Sequence, residues 1–343
     1  MGKPALKHNE WPEIRLRWQQ PNTLNHCGFI GYGNLSRDLT SVITADADAR
    51  CSLHLLDPSK HLPESGASTR LLLTMWESKD FPREYIDNVD RADVLIVPSK
   101  FCADIFRQFL PDKPIHILPL AVDIDSYSYV RRKPPRVDCG QKFRWLWVNA
   151  PDVRKGYHLL AQVWEKVFMD DPSCELYLKT TNNTEDRLER RGNVIFDSRF
   201  IAKDDLVGLY HSAHGYVYPS WGEGFGYTLA EAMATGLPSV ATNYSGHTDF
   251  FNGANGYPVK WTPWRVTRNL AEQPDTKCVS MADDGNFEVA ICNARHLVTQ
   301  MFSVMERYGR GLDRGKRAAK KIRRDYTLPA MARSLASIVK EYS

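Results

Sequence analysis

The sequence predicts an α/β protein of two domains, each a doubly wound, mostly parallel sheet. Two observations lead there. Short apolar runs alternate with segments of helical spacing along nearly the whole chain, and a stretch rich in proline and arginine at residues 129–140 interrupts that alternation once. The length of 343 residues agrees, since at roughly 150 residues per domain it suggests about two.

Taken in order, Ile14–Trp18 and residues 52–56, 70–76, 94–98 and 115–118 read as strands. The last three are apolar on successive residues, as expected of a parallel strand covered on both faces. Residues 34–43, 84–92 and 103–109 have helical spacing between them. The segment 129–140 carries two prolines, four basic residues and a glycine, the composition of a linker. A second series follows, with strands at Phe143–Val148, 175–179, Val194–Asp197, Gly215–Tyr218 and Ser239–Thr242 and helices at 156–168, 203–211 and 227–235. Residues 293–342 form a helical tail whose most basic part is 314–324. That part reads either as a solvated helix face or as a patch for a phosphate-bearing acceptor, nucleic acid or acidic lipid.

Composition narrows the class. Lys and Arg number 45 against 41 Asp and Glu, a net charge of +4 that permits a nucleotide or an anionic acceptor and requires neither. With 43% hydrophobic and 25% charged residues, intrinsic disorder is excluded as the main state. The seven cysteines are sparse and include no C-x-x-C pair, which argues against a zinc site or a thioredoxin-type motif and fits reduced thiols in a cytoplasm. The ten histidines show no H-E-x-x-H spacing, so no metal is expected. The N-terminus has no apolar core of a signal peptide, Leu6 spoils a myristoylation pattern, and no run of 18 apolar residues occurs. A soluble or at most peripheral cytoplasmic protein is the expectation.

The most informative stretch runs from Pro219 to Pro238. A strand ends at Pro219, a loop carries Gly222, Gly224 and Gly226, and a helix runs to Gly236, placed to cap its C-terminus. Glycines at such a turn let the backbone approach a ligand, and the free N–H groups and dipole of the helix start favour an anion. Glu223 sits in the loop and Glu231 in the second turn of the helix, so both can reach one pocket at different depths. A carboxylate can grip two vicinal sugar hydroxyls through its two oxygens. Two acids beside an anion-binding turn therefore suggest a ligand with sugar hydroxyls and phosphates, such as a nucleotide sugar.

This stretch resembles the E-x7-E signature of retaining GT-B glycosyltransferases of the family 4 type. The likeness continues through Gly-Glu-Gly-Phe-Gly (Phe225 in its centre), Glu-Ala-Met-Ala, Gly-Leu-Pro and Tyr244-Ser-Gly-His-Thr-Asp249. It implies two Rossmann-like domains facing each other across a cleft: an acceptor-side domain at 1–133, a nucleotide-sugar domain at 140–310, and a helical tail at 311–343 packing back toward the first. Asn149-Ala-Pro-Asp-Val-Arg-Lys-Gly156 resembles the family's phosphate loop, whose lysine maps to Lys155 and would neutralise the departing diphosphate. The family's frequent arginine is Ala150 here, and Arg154 is the residue able to compensate. The resemblance further implies that Gly224, Phe225 and Gly226 line the donor, that Glu231 holds the ribose, and that Glu223 contacts the transferred sugar. Gly31 and Gly33, in the glycine loop at 28–37, would face the cleft and the donor diphosphate or acceptor. Glu77, in Thr74-Met-Trp-Glu-Ser78, would orient the acceptor or the transferred sugar, or else cap the next turn as a strand-end acid. Val97-Pro-Ser-Lys100 and Leu118-Pro-Leu-Ala-Val-Asp123 match further landmarks, with Ala121 in place of the usual glycine.

The activity so implied is transfer from a nucleotide-sugar donor to a hydroxyl with retention of anomeric configuration. No cofactor is needed beyond the donor as co-substrate, and Asp123-Ile-Asp125 is a coincidental D-x-D rather than a metal site. The acceptor stays open among polysaccharide, lipid-linked sugar, protein and nucleic acid, and peripheral contact of 314–324 with an anionic surface is allowed. Alternatives are an epimerase or synthase of the same fold, a DNA-base glycosyltransferase, and a partner subunit that binds sugar nucleotides without turnover.

Overall fold

The computed structural model describes residues 12–18, 30–180, 187–266 and 287–343. The chain divides into two compact units. Of the described residues, the first comprises those up to Trp76, Arg83–Ala121 and Arg324–Ser343, and the second those within Glu77–Pro82 and Val122–Arg323.

The first unit begins with β1 (Ile14–Trp18), α1 (Ile30–Val42), β2 (Ile43–Ala45), β3 (Cys51–Leu55) and β4 (Thr69–Leu73). It continues with α2 (Arg83–Asp90), β5 (Val94–Val97), α3 (Lys100–Phe109) and β6 (Ile115–Ile117). The sheet order is β2-β1-β3-β4-β5-β6, parallel throughout. All four residues of β5, Val94 to Val97, are buried, which is why that strand reads as an unbroken apolar run. Ser99 starts α3 by accepting the N–H of Cys102 on its hydroxyl, and the helix buries Cys102, Ala103, Ile105 and Phe106.

The second unit holds β7 (Phe143–Val148), α4 (Tyr157–Val167), β8 (Cys174–Lys179), β9 (Leu188–Arg191), β10 (Val194–Asp197) and α5 (Lys203–Ser212). Next come β11 (Gly215–Tyr218), α6 (Tyr227–Ala234), β12 (Ser239–Thr242), β13 (Tyr257–Val259), β14 (Trp261–Val266) and β15 (Phe287–Cys292). Two helices, α7 (Ala294–Glu306) and α8 (Tyr308–Asp325), precede the last, α9 (Leu328–Tyr342). The sheet order is β13-β12-β11-β7-β8-β10-β9, parallel except for the antiparallel edge strand β9. β14 and β15 form a separate antiparallel ribbon. Trp145, Trp147, Trp164, Phe168, Leu297 and Met301 fill the core between this sheet and its helices.

Most expected elements are present within a few residues of their sequence-based bounds; β2, β9, β13 and the ribbon are additions. The helical tail is divided into three helices, because the chain leaves helical geometry at Arg307 and again before Thr327, whose hydroxyl caps α9. α9 belongs with the first unit: the Tyr342 hydroxyl lies 2.8 Å from His116 Nε2, and its carbonyl accepts from Cys51 Sγ at 3.1 Å.

The stretch 129–140 is anchored rather than loose. Arg132 is 9% exposed and donates to the carbonyls of Tyr210 (2.8 Å), Ala213 (3.2 Å) and Thr235 (2.5 Å), which lie at the C-terminal ends of α5 and α6. A cation there satisfies carbonyls that have no intrahelical partner and lies at the negative end of both dipoles.

Candidate functional site

Two loops of the second unit meet where β7 and β11 end. The first follows β7 and turns at Asp152, whose carboxylate accepts the N–H of Arg154 at 2.9 Å, so Arg154 and Lys155 sit on one short helical turn. The second follows β11 and runs from Pro219 to the start of α6. The Trp221 N–H donates to the Arg154 carbonyl at 2.7 Å and joins the two.

This joint brings the sequence-predicted charges together. Lys155 Nζ donates to both oxygens of Glu223, at 2.7 and 2.8 Å. Arg154 donates to the Gly222 carbonyl at 2.6 Å, lies 3.5 Å from Glu223 Oε2, and reaches Glu77 Oε1 at 3.7 Å with its other terminal nitrogen. Sequence reasoning missed Ser220, whose hydroxyl donates to Glu223 Oε1 at 2.6 Å, and Ser245, whose hydroxyl accepts the Glu223 N–H at 2.9 Å. Both serines lie inside the quoted motif stretches, but nothing in their spacing announces a carboxylate partner. Burial by itself would raise the Glu223 carboxyl; Lys155 and Arg154 outweigh it and hold the group at about 2. Glu223 is thus a buried carboxylate that stays ionised throughout the physiological range.

Glycine is required at two points of the second loop. A Cβ on Gly222 would stand 1.9 Å from the Glu77 carbonyl oxygen, so only glycine lets segment 77–82 lie against the loop. Gly226 adopts φ 96° as it caps α6, and the turn is backed by His247, which is fully buried and donates from Nε2 to the Thr242 carbonyl at 2.6 Å. The Phe225 ring is turned inward, 5.0 Å from Tyr227 and 5.2 Å from Phe250, so only its backbone can face a ligand. Gly224 lies beside it, its carbonyl oxygen 2.0 Å from where a Cβ on Gly246 would stand.

Glu231 has a different environment. It is buried in α6, accepts from the Tyr210 hydroxyl at 3.0 Å, and is raised to about 7 by burial, which the hydrogen bonds of Tyr210 and Tyr127 offset only in part. The two tyrosines, edge-to-face at 5.5 Å, were not anticipated from sequence. Beside α5, a cavity of about 430 Å³ is lined by Tyr177, Arg199, Asp205 and the 90% exposed Phe200, among others.

Segment Glu77–Pro82 is stitched to the ribbon. The Lys79 N–H donates to the Glu288 carbonyl at 3.1 Å, the Glu288 N–H donates to Asp80 at 2.7 Å, and Lys79 Nζ pairs with the Glu288 carboxylate at 2.8 Å. β15 also donates from the Ala290 N–H to the Trp221 carbonyl at 3.0 Å. Gly31 and Gly33 lie in the first turn of α1, in the first unit, rather than in a loop ahead of it; a Cβ on Gly33 would meet nothing within 4 Å. Gly28, at the start of that predicted loop, is outside the described residues. Among the described residues, no group of three or more His, Cys, Asp or Glu could hold a metal ion, and no helix is long and apolar enough to cross a membrane.

Residues 143–272 match the family model for glycosyl transferases group 1. The chain therefore carries a group 1 domain, and that domain contains Arg154, Lys155, Glu223 and Glu231. Among curated relatives, the mannosylfructose-phosphate synthase of Agrobacterium fabrum is 25% identical over 278 residues, covering 69% of this chain and 58% of its own. The O-antigen chain mannosyltransferase B of Escherichia coli is 28% identical over 194 residues, covering 54% and 46%. The chain spans about half the length of these curated relatives. Among solved structures, the sucrose-phosphate synthase of Thermosynechococcus elongatus superposes with a TM-score of 0.59 at 16% identity, covering 80% of this chain and 68% of that one. Anabaena HepE in complex with UDP and glucose gives 0.58 at 15%, covering 79% and 71%. These likenesses establish the GT-B fold: the two units are its two Rossmann-like α/β domains.

Proposed function

We propose that this group 1 domain protein is a glycosyltransferase that moves a sugar from a nucleotide-sugar donor to a hydroxyl acceptor, with retention of configuration and without a metal. The observation that carries the reading is the Lys155–Arg154 pair fixed on Glu223 at the loop opening α6.

As the bond between the anomeric carbon and the diphosphate breaks, negative charge grows on the phosphate and positive charge on the sugar ring. Lys155 and Arg154 are cations already held in place, so they stabilise the departing diphosphate with little reorganisation. Lys155 has three N–H donors, of which Glu223 engages two, and Arg154 has five. Both retain capacity for phosphate oxygens while keeping their carboxylate. The N–H groups of the first turn of α6 add to the same potential. Glu223, held ionised, faces the positive charge developing on the sugar. Glu231 takes the ribose hydroxyls, and the cavity beside Phe200 receives the base. Glu77 acts through Arg154 and orients the transferred sugar or the acceptor. The protein acts in the cytoplasm. The relatives named above support a sugar donor and a sugar-bearing or polymeric acceptor.

A thermal-shift screen of nucleotides and nucleotide sugars tests this reading, because a ligand of the folded state raises the melting point. The expected result is a shift with one nucleotide family, lost in Glu231→Ala. In transfer assays Lys155→Ala should lower turnover about a hundredfold or more while leaving donor binding largely intact. Wild-type transfer by both variants would show the site to be elsewhere, and isomerisation of the donor without acceptor would identify an epimerase.

A further inference from the structure

The charge of the chain is concentrated on one helix. Between Tyr308 and Arg323, α8 carries seven basic side chains against one acid, Asp313, a net of +6 in a chain whose total is +4. Its small and apolar residues, including Gly311, Gly315, Ala318 and Ile322, are buried, with Gly311 against Pro238 and Gly315 against Gly236, which leaves the basic side to solvent. Arg310, Lys316, Arg317 and Lys320 are all exposed. Arg310 and Arg317, seven residues apart, follow one flank of that side; Lys316 and Lys320, four apart, follow the other.

Contacts of two arginines fix part of this surface. Arg314 donates to the Gly256 carbonyl at 3.0 Å and lies 4.2 Å over the Tyr257 ring, and Arg317 donates to the Ala254 carbonyl at 2.5 Å. Each contact uses only part of a guanidinium with five N–H donors. The result is a set of like charges held about 15 Å along the helix from Arg310 to Lys320 with one carboxylate among them. Such an array is relieved by an anionic partner.

We propose that the exposed side of α8 adsorbs the protein onto an anionic phospholipid surface. A headgroup layer is a plane of phosphates and meets both flanks at once, whereas a single polyanionic strand lies along one. No large exposed apolar side chain of the described residues lies on α8, so the contact is electrostatic adsorption without insertion. The same lack of exposed aromatic rings removes the stacking platform that single-stranded nucleic acid uses. This surface is independent of the transfer reaction, and none of its residues belongs to the Lys155–Glu223 cluster.

Co-sedimentation with vesicles tests it. The full chain binds vesicles of phosphatidylglycerol and phosphatidylcholine at low salt, is released at high salt, and ignores pure phosphatidylcholine. Each cation removed lowers partition about fivefold, so the triple variant Arg310→Glu/Lys316→Glu/Lys320→Glu loses about a hundredfold or more. These three side chains are exposed, and an unchanged urea midpoint confirms that the variant is folded. Equal binding to neutral vesicles, or undiminished binding by the triple variant, overturns the proposal. Displacement from the vesicles by duplex DNA at matched phosphate concentration also overturns it and reassigns the surface to nucleic acid.

Discussion

Removing Lys155 tests the charged cluster most directly. In Lys155→Ala the Glu223 carboxylate, with its side chain 6% exposed, keeps Arg154 at 3.5 Å and Ser220 at 2.6 Å but loses its two shortest cationic contacts. Breaking one side of a buried ion pair costs about 3–5 kcal/mol, and the surviving partners place this case at or just below the lower end. The titration of Glu223 gives a similar scale. A native carboxyl at about 2, against 4.5 for the free side chain, amounts to about 3 kcal/mol, shared among Lys155, Arg154 and Ser220. The expected loss is therefore about 2–3 kcal/mol at pH 7. Because the native group is depressed, its contribution is complete above pH 4.5 and disappears as pH falls toward 2, so parent and variant converge in acid. The double variant Lys155→Ala/Glu223→Gln should recover much of the loss, since no unpaired charge remains. Urea unfolding followed by tryptophan fluorescence, to which the buried Trp145, Trp147 and Trp164 contribute from the second unit, measures all three proteins. A loss below about 1 kcal/mol at pH 7, or a double variant no more stable than the single one, refutes the coupling.

Glu231 carries the opposite sign. Its native carboxyl, raised to about 7, makes the ligand-free protein lose stability as pH rises from 4.5 to 7, so Glu231→Gln should be the more stable protein at pH 8 by about 3 kcal/mol, with no such gain at pH 4; melting curves at both values check this. Gly222→Ala should force segment 77–82 off the loop and cut transfer at least about tenfold. Gly208→Ala, at an exposed position inside α5 where a Cβ meets nothing within 4 Å, should raise stability by about 0.5–1 kcal/mol in the same unfolding assay. Asn293→Ala should cost about 1 kcal/mol, because the Asn293 side chain caps α7 by accepting the His296 N–H at 2.9 Å.

The strand–loop–helix passage from Gly215 to Thr242 was legible because each of its boundaries has a local chemical cause: a buried apolar run, glycines that free the backbone, and Gly236 and Pro238 to end the helix. The ribbon was not, since Pro263 lies within β14 and the two strands are separated by twenty residues of chain, so no hairpin spacing signals their pairing. Residues 129–140 have a linker's composition, but composition does not reveal that Arg132 would find three helix-end carbonyls. Lys155 and Arg154 could be singled out by motif position. Their grip on Glu223, 68 residues beyond Lys155, and the role of Ser220 depend on how two loops meet, which periodicity does not encode. Likewise the elevated carboxyl of Glu231 arises from its burial, which the hydrogen bonds of Tyr127 and Tyr210 offset only in part, and no local pattern ties those tyrosines to it.

The chain enters the second unit at Glu77, returns to the first at Arg83, and re-enters at Val122. A single cut therefore cannot separate the halves cleanly. A fragment beginning at Val122 would leave Glu288 without Lys79 and Asp80, Arg154 without Glu77, and Gly222 with an empty space beside it. Its mirror image, ending at Ala121, would lack α9 and the Tyr342 contacts with Cys51 and His116. Expression of either piece alone calls for grafting the short missing peptide back, and supplying residues 77–82 in trans offers a way to switch the cluster on from outside.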